Sequence, residues 1–491
     1  MKIQLKIFII VLLLMVQPVF LTLGGGKPEE MEVKEDYEAV EGGVDLQTPI
    51  QDLSTIDWKK YSGSRINIIG EQSPGNEAAL KFIPEFKKLT GIDVTMTLLP
   101  EQALFDKMVL DLSSGSGMYD MVQMPACGVT VKWARAGWVE SLDSYINNPQ
   151  LTDRQWFDLD DFVPKWIDVM RYEGKLYGLP SYGESDILFY RKDLFEEHNV
   201  KVPTTMEELE EAARKLTLDT DKDGKTDIYG LTLRGIRGHT SNVYIWAGFL
   251  RAFGGKFFRG EDPVNGLPPD APKGRDNWEP VINSPEAVRA TNYYARLLNN
   301  YAPRDVASYH WDGVAEAMAT GITAMIIDAT CFAAIFNNPN ESRVADKVGY
   351  APGPQIPSVW ISAFAINSAS KEKEATWLWL QWITSKQIQL RYALKEDGGS
   401  PDVSRMSVVD DPRYRERLSL PSPTGDFLEI SWANINGSSP DYRPRIPEYW
   451  EIGDRIGIAI EEVITGGKTA KQALDEAQTD IDRIMRNAGY Y

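Results

Sequence analysis

The sequence predicts an α/β protein of two lobes, each a mostly parallel sheet flanked by helices. Three observations carry that prediction. At 491 residues the chain exceeds what one hydrophobic core ordinarily serves, so it should divide. From residue 65 onward, short β-branched runs alternate with stretches of helical periodicity, the pattern of strands covered by helices. After residue 187 the same alternation starts again.

The N-terminal end is read first. Lys2 and Lys6 precede residues 7–23, which are apolar except for Gln17, Pro18 and Thr22, and Gly24, Gly25 and Gly26 follow. A basic start, an apolar stretch and small residues describe an export signal over 1–26. A retained membrane anchor is the alternative, since the stretch approaches spanning length. Pro18, and the lack of a second apolar segment this long, favour export. No cysteine lies near the expected cut, which excludes lipid attachment of the usual bacterial kind. Residues 27–54 carry Glu29, Glu30, Glu32, Glu35, Asp36, Glu38 and Glu41 without a sustained apolar period, and read as a solvated acidic tether.

Along the body, residues 65–70 predict a strand through Ile66, Ile68 and Ile69. Residues 77–90 predict a helix bent at Pro84 and closed by Gly91. A strand over 92–98, a helix over 104–112 and a strand over 119–123 complete the first run. The second run has strands at 188–190, 228–233, 324–327 and 359–366, and helices at 205–216, 284–300, 373–384, 452–464 and 469–485. Residues 256–283, rich in Gly and Pro, read as an irregular surface insertion.

Charge and composition exclude several functions. The formal net charge of −19 repels phosphate backbones, which argues against nucleic-acid binding. Cys127 and Cys331 are the only cysteines, so there is neither a disulfide framework nor a thiolate metal cage. The three histidines, His198, His239 and His310, form no compact metal motif, and no Gly-x-Ser-x-Gly elbow is present. Gly466-Gly-Lys468-Thr469 imitates the end of a phosphate loop, but Glu462 stands where its first glycine belongs and no strand precedes it. The chain is therefore expected not to be an enzyme.

Several short motifs, in order, resemble one family. They are Pro84-Glu-Phe-Lys-Lys-Leu-Thr-Gly91, Ser113-Ser-Gly-Ser-Gly117 with Tyr119-Asp120, and Gly137-Trp138 leading to Leu142-Asp143. Gly174-Lys-Leu-Tyr-Gly-Leu-Pro180 and Leu188-Phe-Tyr-Arg-Lys-Asp-Leu194 follow, then Gly321-Ile-Thr-Ala-Met325, Ile366-Asn367 with Ser370-Lys371, and Trp379-Leu-Gln-Trp382. Together, over about residues 63–488, they resemble the extracellular solute-binding proteins of ABC sugar importers, maltose-binding-protein-like in architecture. The resemblance implies a type II periplasmic-binding-protein (Venus flytrap) fold with several hinge crossings. They are expected near 184–190, near 358–365 and after Leu394. It implies a first lobe from 55–185 and 361–430 and a second from 186–360 and 431–491. It further implies capture of a sugar, oligosaccharide or polyol by hinge closure and delivery to the importer's transmembrane subunits. The protein would work as a monomer at the periplasmic or extracellular face of the cytoplasmic membrane. It would be held there through the permease or an uncleaved N-terminal segment. A secreted glycoside hydrolase and a cell-surface polysaccharide adhesin are the rival readings.

A carbohydrate cleft needs aromatic rings for C–H faces and carboxylates, amides and guanidinium groups for hydroxyl edges. With 14 Trp and 21 Tyr the chain has rings to spend. The candidates on loops and strand ends are Glu71, Asn76, Asp120, Tyr182, Glu184, Arg237, Tyr244, Trp246, Trp311, Asp328, Trp360 and Trp432. For Trp246 and Trp311, core packing competes with ligand contact. For Glu184 and Asp328 a buried structural network does. Trp133, Trp138, Trp377, Trp379 and Trp382 are assigned to packing, and Cys331 to a small buried position.

One local motif stands apart. Asp219, Asp221, Asp223, Lys225 through its carbonyl, and Asp227 follow the spacing of the first half of a calcium loop, with Gly224 at the sixth position. Gly230 replaces the usual twelfth-position Glu. A structural Ca2+ that pins the loop is expected, with a plain acidic turn as the alternative.

Overall fold

Burial and β-branching select the first sheet. β1 (Arg65–Glu71) carries Ile66, Ile68 and Ile69 fully out of water. It pairs in parallel with β2 (Asp93–Leu99) along its whole length and with β3 (Met121–Gln123) on its other edge. A small hairpin, β4 (Arg171–Tyr172) and β5 (Lys175–Leu176), leads into the long strand β6 (Leu179–Arg191). Three more strands follow: β7 (Met325–Ala329), β8 (Val348–Ala351) and β9 (Val359–Ile366). The structure, a computed structural model, describes residues 37–126, 128–394 and 402–491. The export signal at 1–26, the tether at 27–36, Cys127 and the start of the crossing expected after Leu394 lie outside the described residues.

β6 joins the two lobes. Its first half, 179–185, pairs antiparallel with β9 from Leu179↔Phe364 to Ser185↔Val359. Its second half pairs with β7 on one edge and β8 on the other, both antiparallel. β9 then reaches β3, so one curled sheet of order β2-β1-β3-β9-β6-β7 runs through both lobes, with β8 beside β6. The parallel pairing expected from the alternation holds for β2-β1-β3. The crossing strands add antiparallel pairs because β6 and β9 carry the chain between the lobes in opposite directions. The expected crossings near 184–190 and 358–365 are these two strands.

The crossing point is tied by hydrogen bonds taken out of water. Ser185 Oγ donates to the Ser358 carbonyl at 2.6 Å, and the Thr330 amide donates to the Ser185 carbonyl at 2.8 Å. The Asp186 carboxylate, 1% exposed, accepts from the Ser358 amide at 2.6 Å, the Ser358 hydroxyl and Gln355 Nε2 at 3.1 Å. Asn434 Nδ2 donates to the Asp186 carbonyl at 3.0 Å. Gly183 lets Trp166 pack directly against the strand, since a Cβ there would meet the indole at 2.5 Å.

Some local expectations change. The helix expected over 77–90 is two helices, Pro74–Leu80 and Ile83–Thr90. Pro84 sits in the first turn of the second, where its missing N–H leaves nothing unsatisfied. The strand expected over 228–233 appears as isolated bridges of Ile228 to Leu218, Tyr229 to Thr323 and Thr232 to Ile326. Gly230 is pressed against the Ala213 backbone between them. The insertion at 256–283 is not a surface loop, because Phe257, Phe258 and Trp278 are buried in the core. Residues 38–54 of the expected tether are docked rather than solvated. The Val44 amide donates to Asp411 at 2.8 Å, and Val44 and Leu46 pack on Leu390, Val403, Val408 and Tyr414. These few apolar side chains repay ordering, which the acidic count concealed.

Helix Lys373–Ile383 buries Trp377, Trp379 and Trp382 as expected, and helix Tyr449–Ile464 packs on helices Asn242–Ala252 and Pro285–Tyr301. Trp133 is likewise buried, and Trp138 is partly buried against the same core.

Burial pushes the Asp186 carboxyl up from 3.8 to about 6, against its hydrogen bonds from Ser358 and Gln355. The unfolded chain therefore releases this proton at lower pH than the folded one, and the contribution of Asp186 to stability falls as pH rises between those values. Asp186→Asn should cost about 1–3 kcal/mol at pH 4, because an amide places donors against donors. The deficit should narrow as pH rises towards 6 and stay constant above it. Urea unfolding of both proteins from pH 4 to pH 8 measures this.

Candidate binding cleft

The candidate site forms where strands end between the lobes, the usual position for ligands in open α/β sheets. Glu71 ends β1, and Ser73, which caps helix Pro74–Leu80, and Pro74 follow it. Glu101 opens helix Glu101–Ser114 just after β2. Tyr182 and Glu184 come from β6, Trp360 from β9, and Cys331 and Phe332 from the end of β7. The second lobe adds Arg234, Thr240, Tyr244 and Trp311, and all these side chains line one cavity. It continues through Ser73, Glu101, Thr240 and Trp311 into an outer cleft of about 890 Å³, where Arg237 and His310 stand.

Its electrostatics are lopsided. Among the described residues lining the cavity Arg234, 6% exposed, is the one arginine, and it is already paired. Nε and Nη2 donate to the two oxygens of Asp328 at 2.9 and 2.5 Å, and Nη1 donates to the Thr240 carbonyl at 2.8 Å. The guanidinium lies 4.7 Å from the centre of the Tyr244 ring. Burial would lower the Arg234 pKa, but the charge and hydrogen bonds of Asp328, joined by Tyr244 and Glu101, raise it overall, so the arginine stays charged.

Three carboxyls face this pair. Burial pushes Glu71 well above the usual carboxylate range, and the charges of Glu101 and Glu184 push the same way. Burial takes Glu184 to about 7, with a hydrogen bond from Cys331 opposing. Glu101 goes the other way. Burial would raise it, but the hydrogen bond and charge of His310, at 3.1 Å, hold it below the usual value. Behind Glu184, Asp402 is raised by burial and then by Glu184, and it accepts from Thr330 Oγ1 at 3.0 Å. The Cys331 thiol is pushed up by burial, so it is a poor nucleophile.

A wall of rings surrounds these groups. Tyr244 and Trp360 meet at 6.4 Å edge to face, and Arg443, 2% exposed, lies 5.0 and 5.4 Å from their centres. Tyr182 and Trp311 stand on the first- and second-lobe sides, and Phe332 lies 6.1 Å from Trp311. Chemically, this arrangement offers ring faces to C–H groups and charged or polar edges to hydroxyls.

The structure brings together Glu71, Tyr182, Glu184, Tyr244, Trp311 and Trp360 of the expected residues. Asp328 stands one layer behind, on Arg234. Arg237 reaches only the outer cleft, 62% exposed and 3.7 Å from Glu461. Four residues are elsewhere. Asn76 Nδ2 donates to the Glu71 carbonyl at 2.8 Å and to Gln123 at 2.9 Å, holding the strand end rather than facing the cavity. Asp120 is at the far end of the sheet, accepting from the Asn67 amide at 2.8 Å and Ser370 Oγ at 2.6 Å. Trp246 is core, 0% exposed, its indole N–H on Thr291 at 3.0 Å. Trp432 stacks on Trp166 with ring centres 6.2 Å apart.

Arg234, Glu101, Ser73, Thr240 and Phe332 were missed. Glu101 had a signal, since it follows β2 as Glu71 ends β1, and the strand-end rule finds both. Arg234 follows the apolar run 228–233 directly, a charge where a buried strand stops.

In the loop at 219–227, carboxylate oxygens of Asp219, Asp221 and Asp227 lie within 4.8 Å of one another. Gly224 turns at φ 88° and its amide donates to Asp219 at 2.9 Å. Asp223 is turned instead to Lys225, which donates to it from its amide at 2.8 Å and from Nζ at 3.0 Å.

Comparison with known proteins agrees with this geometry. Residues 70–390 match the family of bacterial extracellular solute-binding proteins. A mannitol-binding protein of Pseudomonas aeruginosa is 26% identical over 417 residues, 81% of this chain and 88% of its own. A solute-binding protein of an ABC transporter from Agrobacterium vitis, solved with bound D-mannitol, superposes with a TM-score of 0.75 at 28% identity, covering 87% of this chain and 99% of its own. One from Agrobacterium radiobacter, in complex with ribitol, gives 0.74 at 29% identity over 86% and 99%. Together with the two-lobed sheet and the cleft between its lobes, these matches mean that the chain belongs to the family of bacterial extracellular solute-binding proteins and is a solute-binding receptor.

Proposed function

We propose that this receptor takes a polyol or small sugar into the cleft, closes on it about β6 and β9, and presents it unaltered to the transmembrane subunits of an ABC importer outside the cytoplasmic membrane. The observation that carries the reading is the cavity itself. Glu71, Glu101, Glu184 and Arg234 supply hydroxyl partners, and Tyr182, Tyr244, Trp311 and Trp360 supply faces, from both lobes at once. A ligand touching both lobes stabilises the closed form by its differential affinity, which is what closure requires. The mannitol and ribitol of the related structures are the ligand chemistry such a cavity suits. Among the described residues no helix is long and apolar enough to cross a membrane.

The loop at 219–227 is read as a structural calcium site of the second lobe, supported by the convergence of Asp219, Asp221 and Asp227.

Three outcomes test these readings. In a thermal-shift screen of polyols and sugars at fixed calcium, one class should raise the midpoint, by about 2.7 kcal/mol of stabilisation at 100 times its Kd. That ligand should be recovered chemically intact. Glu184→Gln and Trp360→Ala should each weaken its binding at least about tenfold by titration calorimetry, with the unliganded melting temperature little changed for the first. Calcium alone should raise the melting temperature of the wild type and not of Asp221→Asn, and equal responses would reduce the loop to an acidic turn.

A further inference from the structure

Resting on the polyol reading, we propose that Arg234 is the residue that sets stereochemical selectivity, by gripping two adjacent hydroxyls of the ligand with the two N–H groups its structural partners leave over.

A guanidinium has five N–H donors in one plane. Among the described residues, three of those on Arg234 are committed. Nε and one N–H of Nη2 go to Asp328, and one N–H of Nη1 goes to the Thr240 carbonyl. One donor remains on each of Nη1 and Nη2, on a side chain that lines the ligand cavity. Two donors fixed in one plane can engage two oxygens carried on neighbouring carbons, as they engage the two oxygens of a carboxylate.

The group is also held still. Asp328, 0% exposed, grips it from behind and itself accepts from the Ala329 amide at 2.8 Å. The Tyr244 ring covers one face at 4.7 Å, and Tyr294 Oη donates to the Arg234 carbonyl at 2.7 Å. A fork that cannot swing requires its two hydroxyls at one relative orientation. Rotation about the C–C bond lets every epimer offer such a pair, but threo and erythro pairs then send the rest of the chain in different directions, and a rigid site cannot follow both.

The surroundings complete each hydroxyl. A hydroxyl that accepts from Arg234 still has an O–H to donate, and Glu71 and Glu184 stand near enough for the arginine's charge to act on both. The same arrangement gives anions no advantage. Arg234 is neutralised by Asp328, and His310 is paired with Glu101, so neither offers an acid ligand an unpaired positive charge.

The test uses D-mannitol, D-glucitol and galactitol as probes with the full mature chain. Wild type should bind the three hexitols with affinities spread over at least about tenfold. Arg234→Lys, which keeps the charge and loses the fork, should weaken the best of them at least about tenfold and shrink the spread to about threefold or less. A purely structural role would weaken all three alike and leave the spread intact, and that result overturns the inference. So would a wild type that binds all three equally. Should the lysine variant not fold, a crystal structure of wild type with its best hexitol decides. Nη1 and Nη2 should each lie within about 3.2 Å of one of two adjacent hydroxyl oxygens, and any other pattern overturns the proposal. If no hexitol binds the wild type at all, this inference falls, while the proposed function is judged separately by the wider screen of polyols and sugars.

Discussion

The architecture depends on a carboxylate that water does not reach. Asp186 sits where β6 leaves one lobe and enters the other, and it ties that strand to the chain just before β9 through Ser358 and Gln355. Two passes of the chain thereby share one joint instead of two independent links. Hinge closure in two-lobed receptors is absorbed at a few residues where the chain passes between lobes, and these two passes are tied at one such point. The joint also sits beside the candidate cavity, which Glu184 of the same strand lines two residues before Asp186.

The cleft is organised around a shortage of positive charge. One guanidinium, fastened to Asp328, faces Glu71, Glu101 and Glu184. Removing so many carboxyls from water is costly unless some keep their protons, and Glu71 and Glu184 are pushed in that direction. A protonated carboxyl both donates and accepts, as a hydroxyl does. A neutral polyhydroxyl ligand therefore finds partners of either sense here. Glu101 differs because His310 Nε2 stands 3.1 Å from its carboxylate, and that contact holds its pKa below the usual value against burial.

Much of this was legible in the chain, for identifiable reasons. The strands with Ile66, Ile68 and Ile69, and with residues 359–366, announce themselves because β-branched residues fit a pleated, buried surface. The packing role of Trp377, Trp379 and Trp382 follows from their helical spacing. Glu71, Tyr182, Glu184 and Trp360 were found because polar and aromatic residues near strand ends and crossings are where such folds expose ligands. Trp246 and Trp432 misled for the converse reason. An indole is large enough to fill a core and polar enough to look like a contact, and only its neighbours, Thr291 and Trp166, distinguish the two.

The sequence by itself determined the two-lobed α/β class and the kind of residues the cleft would use, because these follow from length, periodicity and side-chain chemistry, while the crossings came from its resemblance to a family. Only the tertiary structure decided which charges meet. Arg234 and Asp328 are 94 residues apart, and Glu101 and His310 lie in different lobes. Nothing local in either partner specifies the other. The pairing of charges is set by how the lobes face one another, and that pairing leaves Arg234 two donors for a ligand while leaving none of its charge unspent.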